Sequence, residues 1–104
     1  MTELSIDVHW TDQQVSVCLA GELDMHTAAR LRGAVAELIS SHPGVEIALD
    51  VSKLTFTDSS GLSALIAVYK QTGAAGGRLV IHHPTPRLSR TLSITGLDNV
   101  LPVR

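Results

Sequence analysis

Residues 45–69 read VEIALDVSKLTFTDSSGLSALIAVY, and the change of period inside this stretch decides the fold. Val45, Ile47 and Leu49 alternate with Glu46, Ala48 and Asp50, the two-residue repeat of a strand with one face buried. Leu62, Leu65, Ile66 and Tyr69 recur instead at i, i+3, i+4 and i+7, the apolar stripe of a helix. The spacing predicts a strand ending at Asp50, a loop through Lys53-Leu54-Thr55-Phe56, and a helix opening at Asp58-Ser59-Ser60-Gly61. The glycine-rich stretch Gly73–Gly77 ends that helix, and Arg78 to His82 reads as the next strand.

Toward the N-terminus, Leu4, Ile6 and Val8 alternate with Ser5, Asp7 and His9, giving a first strand. Asp12-Gln13-Gln14 reads as a polar turn, after which Val15, Val17 and Leu19 alternate with Ser16, Cys18 and Ala20 in a hairpin partner. Gly21-Glu22-Leu23-Asp24 closes it. From about Thr27 to Ser41 the residues Ala28, Leu31, Val35, Leu38 and Ile39 share one helical face, with Thr27 or Asp24 as the cap and His42-Pro43-Gly44 as the stop.

Toward the C-terminus, Pro84 and Pro86 open a third helix whose apolar side holds Leu88, Leu92 and Ile94, and Gly96 ends it. Val100-Leu101-Pro102-Val103 then reads as a short edge strand, a place where proline is tolerated. The order β-β-α-β-α-β-α-β predicts an α/β fold. Its four- to five-stranded mixed sheet has parallel strands joined by right-handed crossovers and one antiparallel hairpin. With 104 residues and no repeat, linker or low-complexity tract, residues 1–104 are expected to form a single domain.

The chemistry concentrates in Thr57-Asp58-Ser59-Ser60-Gly61-Leu62, where a loop becomes a helix. Asp and Ser side chains accept bonds from the orphan N–H groups of a first turn. Gly61 removes a side chain, so a partner could approach the backbone closely. A helix start carries partial positive charge, so a phosphate on a serine there would be received rather than repelled. The same segment also serves as a plain helix cap, and spacing alone leaves both readings open.

Composition excludes several other classes. Eight basic and ten acidic side chains give a net charge of −2, unlike a general nucleic-acid binder. The charges are uneven: residues 1–58 hold nine acids and three bases, whereas residues 78–104 hold Arg78, Arg87, Arg90 and Arg104 against Asp98 alone. No apolar run approaches the roughly 20 residues of a membrane span, and Met1-Thr2-Glu3-Leu4 lacks the pattern of a secretory signal, so a cytoplasmic site is expected. Five histidines show no His-x-x-x-His spacing and Cys18 stands alone, so neither a metal nor another cofactor is expected. Gly-x-Ser-x-Gly is absent and no histidine is assignable as a base for Ser59 or Ser60, which speaks against a serine hydrolase.

Gly21-Glu22-Leu23-Asp24 before the first helix and Phe56-Thr57-Asp58-Ser59-Ser60-Gly61-Leu62 before the second resemble the two signature segments of bacterial anti-sigma factor antagonists of the STAS family. Tyr69-Lys70 and Ser93-Ile94-Thr95-Gly96-Leu97 are similar to that family as well, and the likeness runs through the chain in order. It implies the STAS fold and a non-enzymatic partner switch. The unphosphorylated antagonist binds an anti-sigma factor that is also a serine kinase, phosphorylation releases it, and a phosphatase resets it. Carried over by position, Ser59 is the phosphoacceptor, with Ser60 the second candidate. Asp58, Gly61 and Leu62 belong to the same binding surface, and Glu22 and Asp24 flank it. Longer members continue into a further helix after the position of Arg104. The resemblance also allows a STAS interaction subunit of a transport system or a stress-signalling complex; the intact Asp58-Ser59-Ser60 weighs toward the antagonist.

Overall fold

The computed structural model describes residues 3–12 and 14–104; the expectations that touch Met1, Thr2 and Gln13 lie outside them. Four strands form one sheet in sequence order: β1 (Leu4–Trp10), β2 (Gln14–Leu23), β3 (Glu46–Thr57) and β4 (Arg78–His82). β1 runs antiparallel to β2, and the β2–β3 and β3–β4 pairs are parallel. Parallel neighbours require crossovers, supplied here by α1 (Ala28–Ser41) and α2 (Ser59–Ala74), which pack against each other. α3 (Pro86–Thr95) and a short 3-10 turn (Leu97–Asn99) complete the order.

The alternation read from the sequence is the burial pattern of the sheet. Val15, Val17 and Leu19 of β2, Ile47, Leu49 and Val51 of β3, and Leu79 and Ile81 of β4 point inward and are essentially sequestered from solvent. Leu31 and Val35 of α1, Leu65 and Val68 of α2, and Leu88 and Leu92 of α3 close over them in one aliphatic cluster. Burying each such side chain contributes about 1.5–3 kcal/mol. The sole Trp, Phe and Tyr lie at the periphery, with the Trp10 ring tilted at 47° against His42 at a centroid distance of 4.4 Å.

Three expectations need correction. The segment Lys53–Phe56 is strand, not loop, because β3 runs on to Thr57 and pairs with the last residues of β2. Register shifts between Cys18 and Ala20 and between Gly21 and Glu22 interrupt that pairing, so Ser52 and Lys53 are exposed in succession and the two-residue period breaks. Ile94 is not on the apolar side of α3; it is 78% exposed. The last edge strand shrinks to a single parallel bridge between Ile81 and Val103: Pro102, with no N–H to donate, only accepts from Ile81 N–H, and Arg104 donates to the Ile81 carbonyl and accepts from His83 N–H.

The cap of α1 resolves into two roles. Thr27 occupies the N-cap position without a side-chain capping bond. Its hydroxyl instead donates to the Glu22 carbonyl at 2.8 Å, while the Asp24 carboxylate accepts from His26 N–H at 2.8 Å and Thr27 N–H at 3.3 Å. Together they hold the β2–α1 loop in a tight turn.

Candidate functional site

The long β2 and β3 carry two connections to the same end of the sheet: the β2–α1 loop at Asp24–Thr27, and Asp58 between β3 and α2. Asp58 is extended, with φ −101° and ψ −171°, and caps α2. One of its carboxylate oxygens, Oδ1, accepts from Gly61 N–H at 2.9 Å; the other, Oδ2, reaches across to Met25 N–H at 3.3 Å. Its own N–H donates to the Leu23 carbonyl at 3.3 Å. A single aspartate therefore caps one helix and ties it to the loop that opens the other.

Ser59 and Ser60 follow as the first two residues of α2. Ser59 is exposed and Ser60 half-buried, and neither hydroxyl has a hydrogen-bond partner among the described residues. The first N–H groups of a helix have no intrahelical acceptor, and the first turn of α2 holds no acid beyond the cap. An added phosphoryl group on Ser59 would meet partial positive charge and free donors while projecting into solvent.

The remaining sequence-derived residues separate. Glu22 is half-buried in β2, opposite Phe56. Asp24 is only 6% exposed and spends its carboxylate on the loop, so it shapes the site from beneath rather than presenting charge. Gly61 is buried, and the place of its missing side chain faces inward: a β-carbon there would lie 2.3 Å from the Leu23 carbonyl oxygen and 2.8 Å from Thr57 Cγ2. Leu62 is partly buried against the core.

Two apolar side chains join the site that periodicity did not single out. Met25 stands at the loop tip, 70% exposed, and Phe56 is 44% exposed on β3. Their signal in the sequence was a large apolar residue set between polar neighbours, which becomes informative only once the loop of Met25 and the strand face of Phe56 are known to be at the surface. Beside Phe56 and Thr57 a cleft of about 100 Å³ opens toward Thr85, the cap of α3, and toward Arg87 and Thr91 of the helix. Among the described residues no three His, Cys, Asp or Glu side chains converge as a metal site would require, and no helix is long and apolar enough to cross a membrane.

Known proteins share this fold. The family described as Mlab, STAS domain matches residues 6–102. The anti-sigma F factor antagonist of Paenibacillus polymyxa is 34% identical over 87 residues, covering 84% of this chain and 74% of the relative. The crystal structure of an anti-sigma factor antagonist from Mycobacterium paratuberculosis is 30% identical, with 97% and 85% of the two chains superposed at a TM-score of 0.84. The Bacillus cell fate determinant SpoIIAA in its phosphorylated form shares the fold at 24% identity, with 96% and 91% coverage and a TM-score of 0.72. From motif, topology and likeness together, this chain belongs to the STAS domain family of anti-sigma factor antagonists.

Proposed function

We propose that the protein is a cytoplasmic, non-enzymatic binding switch of one domain. In its unphosphorylated form it engages an anti-sigma factor through the surface around Ser59, so that a sigma factor is released for transcription. The anti-sigma factor acts as a serine kinase on Ser59, the phosphorylated protein dissociates, and a phosphatase restores it. Asp58 positions the acceptor, Ser60 and Leu62 border it, and Glu22, Asp24 and Gly61 maintain the shape of the loops beneath.

The observation that carries this reading is the exposed, unengaged Ser59 hydroxyl at the start of α2, directly after the Asp58 that holds the loop of the exposed Met25. Met25 and Phe56 supply the apolar area that a protein partner covers, and Ser59 lies where a bulky dianion would spoil that contact without disturbing the core. The printed names of the relatives, anti-sigma factor antagonists, supply the kind of partner.

The test is phosphorylation in vitro. Each anti-sigma kinase encoded in the source genome is incubated with the protein and ATP, and the product is mapped by mass spectrometry. Phosphate on Ser59 with one kinase, lost in Ser59→Ala and retained in Ser60→Ala, supports the assignment; phosphate on Ser60 or on neither serine refutes it.

A further inference from the structure

The outer face of α3 carries positive charge with no acid on the helix to balance it. Pro86–Thr95 contains two arginines and no acid. Leu88 and Leu92 face the core, which leaves Arg87, Arg90 and Ile94 at i, i+3 and i+7 on the opposite, exposed side. Arg87 sits in the first turn, where the helix's own partial positive charge disfavours a cation. Neither arginine forms an ion pair; among the described residues the single such contact joins Arg78 to Glu46 at 3.9 Å. Ile94 is 78% exposed, more than any other large hydrophobic among the described residues. Two local preferences, for an acid at a helix start and for burial of isoleucine, are broken on one stripe, the pattern expected where a surface has a use.

This stripe is continuous with the site already described. Arg87 and Thr91 line the cleft of about 100 Å³ that also contains Phe56 and Thr57, the latter two residues before Ser59. The same two residues line a shallow hollow of about 300 Å³ that runs on to Arg90 and Ile94.

Building on the antagonist reading, we propose that the outer face of α3 is a second docking element for the partner that binds at Ser59, and that it takes an acidic segment of that partner with an apolar residue set against Ile94. Charge complementarity selects an acidic occupant, and continuity through the Phe56–Arg87 cleft selects the same protein. A nucleic acid fits poorly, because the chain carries a net charge of −2 and the stripe offers no aromatic side chain for stacking. Docking of this kind acts mainly on encounter, whereas the surface around Ser59 decides release.

The experiment uses the full chain and the anti-sigma kinase that phosphorylates it, with affinity and association rate measured at low and high salt. Arg87→Glu/Arg90→Glu is expected to weaken binding about tenfold at low salt, chiefly by slower association, with the difference shrinking as salt screens it. Arg87→Lys/Arg90→Lys should stay near wild type, and Ile94→Ser should weaken binding at either salt concentration. Phosphorylation at saturating protein should keep its maximal rate while the half-saturating concentration rises. Thermal melts of the variants within a few degrees of wild type exclude misfolding. Wild-type affinity in Arg87→Glu/Arg90→Glu, alongside lost binding in Ser59→Asp, overturns the α3 element and leaves the switch standing. Equal binding by wild type and Ser59→Asp removes the switch, and no binding by wild type removes both. Arginine-dependent sedimentation with phosphatidylserine vesicles, with partner affinity unchanged, reassigns the face to a lipid surface and also overturns the proposal.

Discussion

The α-carbon of Gly61 lies so close to the carbonyl of Leu23 that a β-carbon added there would stand 2.3 Å from its oxygen. The contact welds the first turn of α2 to the last residue of β2, and it gives Gly61 a role inside the chain. Gly61→Ala should therefore push α2 away from β2 at its N-terminus. A cost of about 1–3 kcal/mol is expected, the usual range for overpacking, read from the urea midpoint. A midpoint equal to wild type would mean that the strand end yields freely.

Asp58 works on the same seam. Its Oδ1 caps Gly61 N–H and its Oδ2 holds Met25 N–H, so Asp58→Ala releases both loops at once. Loss of a cap costs about 0.5–2 kcal/mol. Asp58→Asn can keep the Gly61 bond through its amide oxygen, but its NH2 group cannot accept from Met25, which places it between wild type and alanine. Urea denaturation of the three proteins checks the order. Phosphorylation should fall in both variants, because the Met25 loop is no longer fixed beside Ser59.

These two residues also show where sequence reasoning reaches and where it stops. Asp58 as a cap followed from residue type and from the start of a helical period, both local properties. The Gly61–Leu23 contact pairs residues far apart in the chain, and no period records it. The extension of β3 through Phe56 was hidden for a different reason: the shifts at Ala20 and Glu22 break the alternation that marks a strand. Asp24 was legible as a cap candidate from its residue type, but its burial depends on the turn that it closes onto His26 and Thr27, which no period records. Ile94 falls on a helical period with Leu88 and Leu92 only loosely, and the geometry of α3 turns it outward.

A pH effect is expected from Asp50, on the sheet row shared with His82. Burial opposes its ionisation, but bonds from Ser52 and the positive charge of His83 and His82 outweigh that and hold its pKa below the ordinary aspartate value. A carboxyl depressed in the folded state contributes stability above the unfolded pKa, near 3.9, and loses it as pH falls through the lower folded value. Wild-type stability should thus decline below about pH 4, and Asp50→Asn should flatten that part of the curve. The effect is small because the carboxylate is half-exposed. Parallel curves for the two proteins from pH 5 down to pH 2.5 would assign the acid loss to other carboxyls.

Phosphorylation should change the surface of the protein and spare its fold. Asp58 already caps α2, so the Ser59 hydroxyl has no structural duty to lose. A negative charge at position 59 sits in the first turn, where it contributes about 0.3–1 kcal/mol of stabilisation. For a domain of this size about 1 kcal/mol moves the melting midpoint by roughly 4–8 °C, so Ser59→Asp should melt within a few degrees of wild type. Binding should respond in the opposite sense. On the proposed reading, Asp at 59 places an unpaired charge in the surface that the partner covers, which costs several kcal/mol, whereas Ser59→Ala keeps a neutral surface and stays bound. Calorimetric titration against the cognate anti-sigma factor, paired with thermal melts, separates the two effects. If Ser59→Asp is largely unfolded at room temperature, the modification acts by breaking the start of α2. If it is folded and binds as tightly as Ser59→Ala, charge at this position is not what releases the partner.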